Sequence, residues 1–372
     1  MNCKHFGTCG SCSIHTLSYE EELSTKKACL WELLAPFGIK EIECFSGEDA
    51  HYRSRAEFKI WHEGERIAYA MGRLDKKGVV MIEECPKVIL PIARRMGPLL
   101  EYIEGSEILK HRLFSIEFLA TTTDACLVTL IYHRKLDEAW QGAVKPLQEK
   151  FQVSIIGRSR KQKVVLGEEF VTESLPIDGR MYHYRYYESG FTQPNPRVNT
   201  MMITWAIKQA KTVGKGDLLE SYCGLGNFTL PLSRYFKKVL ATEISKRSIH
   251  AAKENCLLNG IENINFVRLS SEEMTQALNK ERTFTRLEGM DLDAYNFSTV
   301  LVDPPRAGLD EATRALIAKI PNIIYISCNP ETLARDLAIL TQTHYLVDTA
   351  MFDQFPHTPH IESGVFLRQK SN

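Results

Sequence analysis

Apolar residues are spaced differently in the two halves of the chain. In the first half they fall in short segments such as Ala56-Glu57-Phe58-Lys59-Ile60-Trp61 and Ala125 to Tyr132, whose alternation and Val, Ile and aromatic content predict strands. Residues 17–35 predict a helix with Leu17, Leu23, Leu30 and Leu34 near one face, and a second helix is expected near 86–104. The first 15 residues are rich in Cys, Gly, Ser and His without an amphipathic period, which reads as a loop organised by a ligand. After about residue 190, helical periods near 196–212, 227–235, 245–259, 271–279, 311–319 and 331–341 alternate with apolar runs. The runs are 218–222, 238–243, 264–267, 299–303 and 323–327. Such alternation predicts a parallel sheet wrapped by helices. The expected organisation is a cysteine motif and helix (1–49), an α+β domain (50–190) and an α/β, Rossmann-like domain (191–372).

A chain of 372 residues, 44% hydrophobic and 25% charged, has the composition of an ordinary soluble protein of about two domains. No apolar run approaches the roughly 18 residues of a membrane span, and the polar start Met1-Asn2-Cys3-Lys4-His5 lacks the core of a signal peptide. Cytoplasmic location is expected, with no membrane partner and a monomeric state. Ten cysteines in such a chain argue for metal or catalytic use over a disulfide framework. The 46 basic and 46 acidic residues cancel, so net charge does not announce a nucleic-acid partner. Locally basic stretches, Arg53-Ser54-Arg55 with Lys59 and Arg158, Arg160, Lys161 and Lys163, leave one open, although each alone reads first as a solvated surface run.

Candidate chemistry concentrates at the predicted strand ends. Asp217 to Tyr222 runs into Cys223-Gly224-Leu225-Gly226-Asn227 and then a helix, a turn at which backbone approaches a ligand closely. The next strand ends in Glu243, a carboxylate placed to accept ribose hydroxyls. Glu243 alone would also serve as an ordinary acid at a helix start. A dinucleotide fingerprint needs a third glycine, and Gly226 is followed instead by Asn227-Phe228-Thr229. S-adenosylmethionine has no pyrophosphate and tolerates that loss, so it is the expected cofactor. Asp303, in Asp303-Pro304-Pro305-Arg306, ends a third strand at the same edge.

The strand 323–327 delivers Cys328 to that edge, just before a helix opened by Asn329-Pro330-Glu331-Thr332. A thiol at a helix N-terminus has its thiolate favoured and becomes a nucleophile; the bland alternative is a buried structural cysteine. A methyltransferase needs a thiolate when the acceptor carbon is too weak a nucleophile. Addition to C6 of uracil gives C5 carbanion character, and a base must then remove the C5 proton. Glu362, in the polar stretch Phe352 to Glu362, is a candidate for that base, or an ordinary edge-strand acid.

Together, Phe191-Thr192-Gln193-Pro194-Asn195, Tyr222 to Asn227, Asp303 to Arg306, Ser327-Cys328-Asn329-Pro330 and His360-Ile361-Glu362 resemble the RNA 5-methyluridine methyltransferase family. The wording is most similar to its bacterial tRNA (uracil-5-) branch, over about residues 50–372. The resemblance implies Cys328 as nucleophile, Glu362 as base, and Gln193, Tyr222, Asn227, Glu243 and Asp303 as S-adenosylmethionine contacts. It further implies that the first half docks RNA, with the target base flipped out of the T-arm of tRNA at position 54.

Cys3, Cys9 and Cys12, with Cys85 later, resemble the iron–sulfur ligands of the family's ribosomal-RNA members, which implies a 4Fe-4S cluster. Zinc held by three cysteines and His5 or His15, or no metal, are the alternatives. The spacing differs from C-x3-C-x2-C, so radical chemistry is not expected. A 23S rRNA uridine remains the alternative substrate, and a non-catalytic RNA-binding protein the alternative class. Cytosine-C5 enzymes carry a second cysteine in another context, and amino-methylating enzymes an aromatic residue where Arg306 stands.

Overall fold

The computed structural model describes residues 1–371. Helix α1 (Tyr19–Leu34) starts at a capping box in which Ser18 and Glu21 satisfy each other's free backbone donors. Leu30 and Leu34 of the expected leucine face are buried and Leu23 packs half-buried against the same core, but Leu17 precedes the helix and is exposed, and Glu22 and Lys26 join the buried stripe. Charged residues enter the interior here because Lys26 pairs with Glu22 at 2.6 Å and with Asp353 at 2.7 Å. Strand β1 (Glu43–Phe45) follows.

Seven strands build the sheet of the first half. They are β2 (Arg55–Glu63), β3 (Arg66–Gly72), β4 (Val79–Ile82), β5 (Leu113–Ala120), β6 (Cys126–Tyr132), β7 (Ser154–Ser159) and β8 (Gln162–Leu166), in the order β4-β3-β2-β5-β6-β7-β8. Helices α2 (Leu90–Glu104), α3 (Glu107–Lys110) and α4 (Glu138–Phe151) accompany them. Only β6 and β7 run parallel, and α4 makes the crossover that a parallel pair requires. Alternate residues such as Phe58, Ile60, Phe118 and Leu130 pack against Met96 and Leu99 of α2 and Trp140 of α4. Helix α2 begins later than expected, because Tyr52 and Arg53 both donate their N–H to Lys87 O and hold 86–88 extended.

A hairpin, β9 (Phe170–Ile177) and β10 (Arg180–Tyr187), leads into the second half. There the elements are α5 (Pro196–Ala210), β11 (Asp217–Ser221), α6 (Thr229–Leu232), β12 (Val239–Thr242), α7 (Lys246–Leu258), β13 (Ile264–Val267) and α8 (Ser271–Leu278). They continue with β14 (Phe297–Val302), α9 (Glu311–Ile317), β15 (Asn322–Ser327), α10 (Pro330–Leu340), β16 (His344–Phe352) and β17 (Glu362–Gln369). The sheet order is β1-β16-β17-β15-β14-β11-β12-β13. Strands β11 to β15 are mutually parallel, whereas β17 runs against both β15 and β16.

Successive residues of a strand point to opposite faces, and both faces are covered. Leu218, Ala241, Leu301 and Ile324 pack under α5, α7 and the β9–β10 hairpin. Leu219, Leu240, Val300 and Ile323 pack under α1, α8, α9 and α10. Near-continuous apolar runs are what a doubly covered parallel sheet requires. Helix α5 approaches so closely that a Cβ at Gly364 would stand 2.8 Å from the Trp205 ring, so β17 needs glycine there. Residues 19–45, far away in sequence, belong to this layer: α1 covers one face and β1 extends the sheet beside β16.

Candidate active site

Strand register brings the candidate residues together. Ser221 is aligned with Thr242 of β12 and with Val302 of β14, so Tyr222, Glu243 and Asp303 leave neighbouring strands at one edge. Val302 is aligned with Tyr325, and β15 continues to Ser327 before releasing Cys328. Strand β17 arrives from the opposite direction, with Ser363 paired to Ser327. The next position in register sets Glu362 across from Cys328.

Local chemistry fixes the surrounding loops. Gly226 has φ +88°, and a Cβ there would meet Leu230 Cδ1 at 2.4 Å, so the turn into α6 requires glycine. Gly224, at φ +55°, has open space where a side chain would stand. Tyr222 takes a left-handed φ of 65°, which aims its hydroxyl at Ser271 Oγ, 2.6 Å away. Glu243 is oriented by two backbone donors, Ser245 N at 2.7 Å and Gly224 N at 3.2 Å. Asn227 and Asn199 exchange two amide hydrogen bonds of 2.8 Å. Each amide group keeps one donor and one lone pair for a ligand.

Gln193 sits in a loop clamped from both sides. Pro194 O accepts from Ser54 N at the start of the first sheet, and Asn195 N donates to Gln354 Oε1. Thr192 Oγ1, Asn195 Nδ2 and Glu220 Oε2 are buried without a hydrogen-bond partner. Open space beside Gly224, a carboxylate oriented at Glu243 and the donors and lone pairs left free by Asn199 and Asn227 fit a polar nucleoside ligand such as S-adenosylmethionine. The sequence alone does not single out Asn199 or Glu220. A polar Asn on an amphipathic helix and an acid within an apolar strand run are their only signals.

Beside Cys328, Asn329 caps α10 and its Nδ2 donates to Arg306 O at 3.1 Å, while Thr332 Oγ1 donates to the same carbonyl at 3.3 Å. The Asp303–Arg306 loop is thereby fastened to the helix that follows the thiol. Arg306 Nη2 also lies 3.1 Å from His360 Nδ1. The electrostatics differ from the expectation of a favoured thiolate. Burial pushes the Cys328 thiol up to about 11, Glu362 and Asp303 add to the shift, and Arg306 opposes it. Desolvation and two carboxyls outweigh the helix end. Burial likewise raises Asp303 to about 7 and Glu362 well above the carboxylate range, with Asp303 raising Glu362 further and Arg306 pulling it down.

A titration follows. Alkylation of Cys328 by iodoacetamide should be slow at pH 8, where the thiolate is roughly one part in a thousand, and should rise tenfold per pH unit up to about pH 11. Arg306→Gln should move that rise to still higher pH. Peptide mass spectrometry reads the result, and a midpoint near pH 8 would contradict the electrostatic account.

Cys3, Cys9, Cys12 and Cys85 are brought to one small pocket, lined also by Phe58, Met71 and Ile82. The loop carrying them is laid on the first sheet by Gly10 N to Gly72 O and Leu74 N to Thr8 O, both 2.8 Å. Among the described residues no three His, Cys, Asp or Glu side chains are already gathered at metal-binding distances. Nor, among those residues, is any helix long and apolar enough to cross a membrane.

The sequence profile of the tRNA (uracil-5-)-methyltransferase family matches residues 18–370. The chain belongs to this family. It is an S-adenosylmethionine-dependent methyltransferase acting on uridine C5 in tRNA. A tRNA/tmRNA (uracil-C(5))-methyltransferase of a Sulfurovum species is 65% identical over 371 residues, covering 100% of both chains. A protein of the same description from a Nitratiruptor species is 54% identical, covering 99% of each. The fold is shared with the Pyrococcus abyssi tRNA (uracil-54, C5)-methyltransferase in complex with S-adenosyl-L-homocysteine. Its TM-score is 0.75 at 24% identity, over 96% of this chain and 85% of that one. In this uracil-C5 methyltransferase the family match begins beyond Cys12, so the first three cysteines of the pocket lie outside it.

Proposed function

We propose that this cytoplasmic methyltransferase modifies the T-loop uridine at tRNA position 54, with Cys328 as covalent nucleophile and Glu362 as base. The observation that supports the reading is the register of β15 and β17: continued one position beyond Ser327 and Ser363, it puts a thiol and a carboxyl opposite each other at the strand ends. Cys328 first loses its thiol proton to solvent, the thiolate being favoured by Arg306; Sγ then bonds to uracil C6, and the C5=C6 electron pair moves towards C5 and the adjoining carbonyl. S-adenosylmethionine, when bound, would supply a sulfonium methyl to C5, the methyl–sulfur bond breaking and its electron pair staying on the departing thioether. Glu362 removes the C5 proton, the C–H pair restores C5=C6, and the Cys328 thiolate leaves. Burial that raises Glu362 makes its carboxylate the stronger base. Arg306, which stabilises the ionised forms of both Cys328 and Glu362, is the resident charge that helps thiolate form. Gln193, Tyr222, Asn227, Glu243 and Asp303 hold the cofactor, and residues 50–190 dock the RNA.

The P. abyssi protein's name specifies uracil-54, and the family name specifies tRNA. Single-stranded loops are what a base-flipping enzyme can read. An unmodified T-arm stem-loop should therefore be methylated at one loop uridine and should outcompete 23S rRNA fragments at equal salt, since phosphate contacts make affinity salt-dependent. Preference for the rRNA would overturn the substrate assignment while leaving the site chemistry in place.

The four cysteines suit a 4Fe-4S cluster in donor chemistry: soft thiols converging on one pocket, close enough that Cys85, Cys9 and Cys3 each act on Cys12. They would hold it as a brace between residues 3–12 and residue 85. Protein purified without oxygen should carry about four irons and four sulfides per chain, and Cys85→Ser should lose them with little change in cofactor affinity. Stoichiometric zinc without sulfide would refute the cluster.

A further inference from the structure

Glu362 is preceded by residues 353–361, the connection between β16 and β17. This strap begins and ends at one cross-strand pair, Phe352 with Glu362, so its shape fixes where the carboxyl stands. Few of its holds come from residues 191–372; most come from the first 52 residues. Lys26 Nζ donates to Asp353 Oδ1 at 2.7 Å and to Phe355 O at 3.2 Å. Tyr19 Oη donates to Asp353 Oδ2 at 2.7 Å, and Tyr52 Oη to Pro356 O at 2.9 Å. Glu22 Oε1 accepts from His357 N at 2.8 Å, and Ile14 N donates to His357 O at 3.1 Å. His357 has a φ of 63°, and its ring stands between Glu22 and Asp49, 3.5 and 3.3 Å away.

Lys26 is 4% exposed, and Glu22 and Asp353 no more than 1%. Burying such charges costs desolvation that apolar residues of similar size avoid, so a network of this kind is a weak source of stability. What it does provide is direction, because each bond ends on the backbone or side chain of the strap. We propose that Lys26 is a positioning residue for Glu362: by pinning Asp353 and Phe355 from α1, it holds the strap so that the carboxyl meets the C5 proton. Tyr52 contributes the same function more weakly, through a single neutral bond to Pro356. The inference rests on the reading of Glu362 as the base.

The test uses full-length enzyme, S-adenosylmethionine carrying a labelled methyl group, and T-arm RNA containing [5-³H]uridine. In single turnovers, methyl label in the denaturation-resistant complex reports addition and transfer, and tritium released to water reports proton removal. Lys26→Gln should form the complex at near wild-type rate while tritium release slows about 10- to 100-fold, the scale expected of a misplacement near 1 Å. Because Lys26→Gln leaves buried carboxyls without their cation and puts folding at risk, Tyr52→Phe is run in parallel and should show the same imbalance, smaller in size. Exposed Lys27→Ala should behave as wild type. Wild-type tritium release in a folded Lys26→Gln or in Tyr52→Phe would overturn the proposal, as would equal slowing of both readouts. Glu362→Gln, measured alongside, separates the two ideas. If it accumulates complex and the Lys26 and Tyr52 variants do not, only the positioning role fails; if it does not, the assignment of the base fails first.

Discussion

Cys328→Ala should abolish methylation, with activity falling by more than about 10⁴-fold, the scale of losing a covalent nucleophile. RNA with 5-fluorouridine at the target should form a denaturation-resistant complex with wild-type enzyme and S-adenosylmethionine, since fluorine cannot leave as a cation and elimination stalls. The variant should form none, yet bind RNA nearly as well as wild type. The reason is placement: Cys328 follows the last paired residue of β15 and is half-buried, so its removal deletes a reacting atom and opens little of the core. Denaturing gels of the fluorinated complex, with filter binding for affinity, check both parts. A Cys328→Ala enzyme that still methylates would sink the covalent mechanism.

Glu362→Gln should separate the two half-reactions. Addition and methyl transfer precede proton removal, so the glutamine variant should accumulate methylated RNA bound to protein while turnover falls by about 10² to 10⁴-fold, the usual worth of a positioned base. Glutamine keeps the size and hydrogen-bonding capacity of the side chain, and the site is buried, so packing should be nearly unchanged. Quantifying bound against released product over a single turnover decides the matter. Loss of adduct and product in equal measure would assign Glu362 a binding or folding role instead.

Much of the fold, and the residues of the proposed site, can be picked out in the sequence itself. The apolar runs around Leu218, Val239, Val300 and Ile323 lie in a sheet covered on both faces, a burial that leaves a period-free signature along the chain. Glycines at 224 and 226, an acid at 243 and a cysteine after the last run mark strand ends, because open parallel sheets gather ligands at their carboxyl edge. Motif wording points to the family, which the profile over residues 18–370 establishes.

Only the tertiary structure decided the rest. Nothing local announces that β17 runs antiparallel beside β15, yet that register alone sets Glu362 opposite Cys328. At Cys328 the helix end by itself favours the thiolate, but burial and two carboxyls from distant strands act more strongly and reverse the sign of the shift. In α1 the leucine period marks Leu30 and Leu34 as buried, but nothing in it marks Glu22 and Lys26, which are buried beside them. The partner that carries this pair inside, Asp353, lies 327 residues further along the chain than Lys26. Sequence determines which segments are apolar and which residues carry chemistry, because those are local properties; which charges meet is set by strand order and layer packing, which are not.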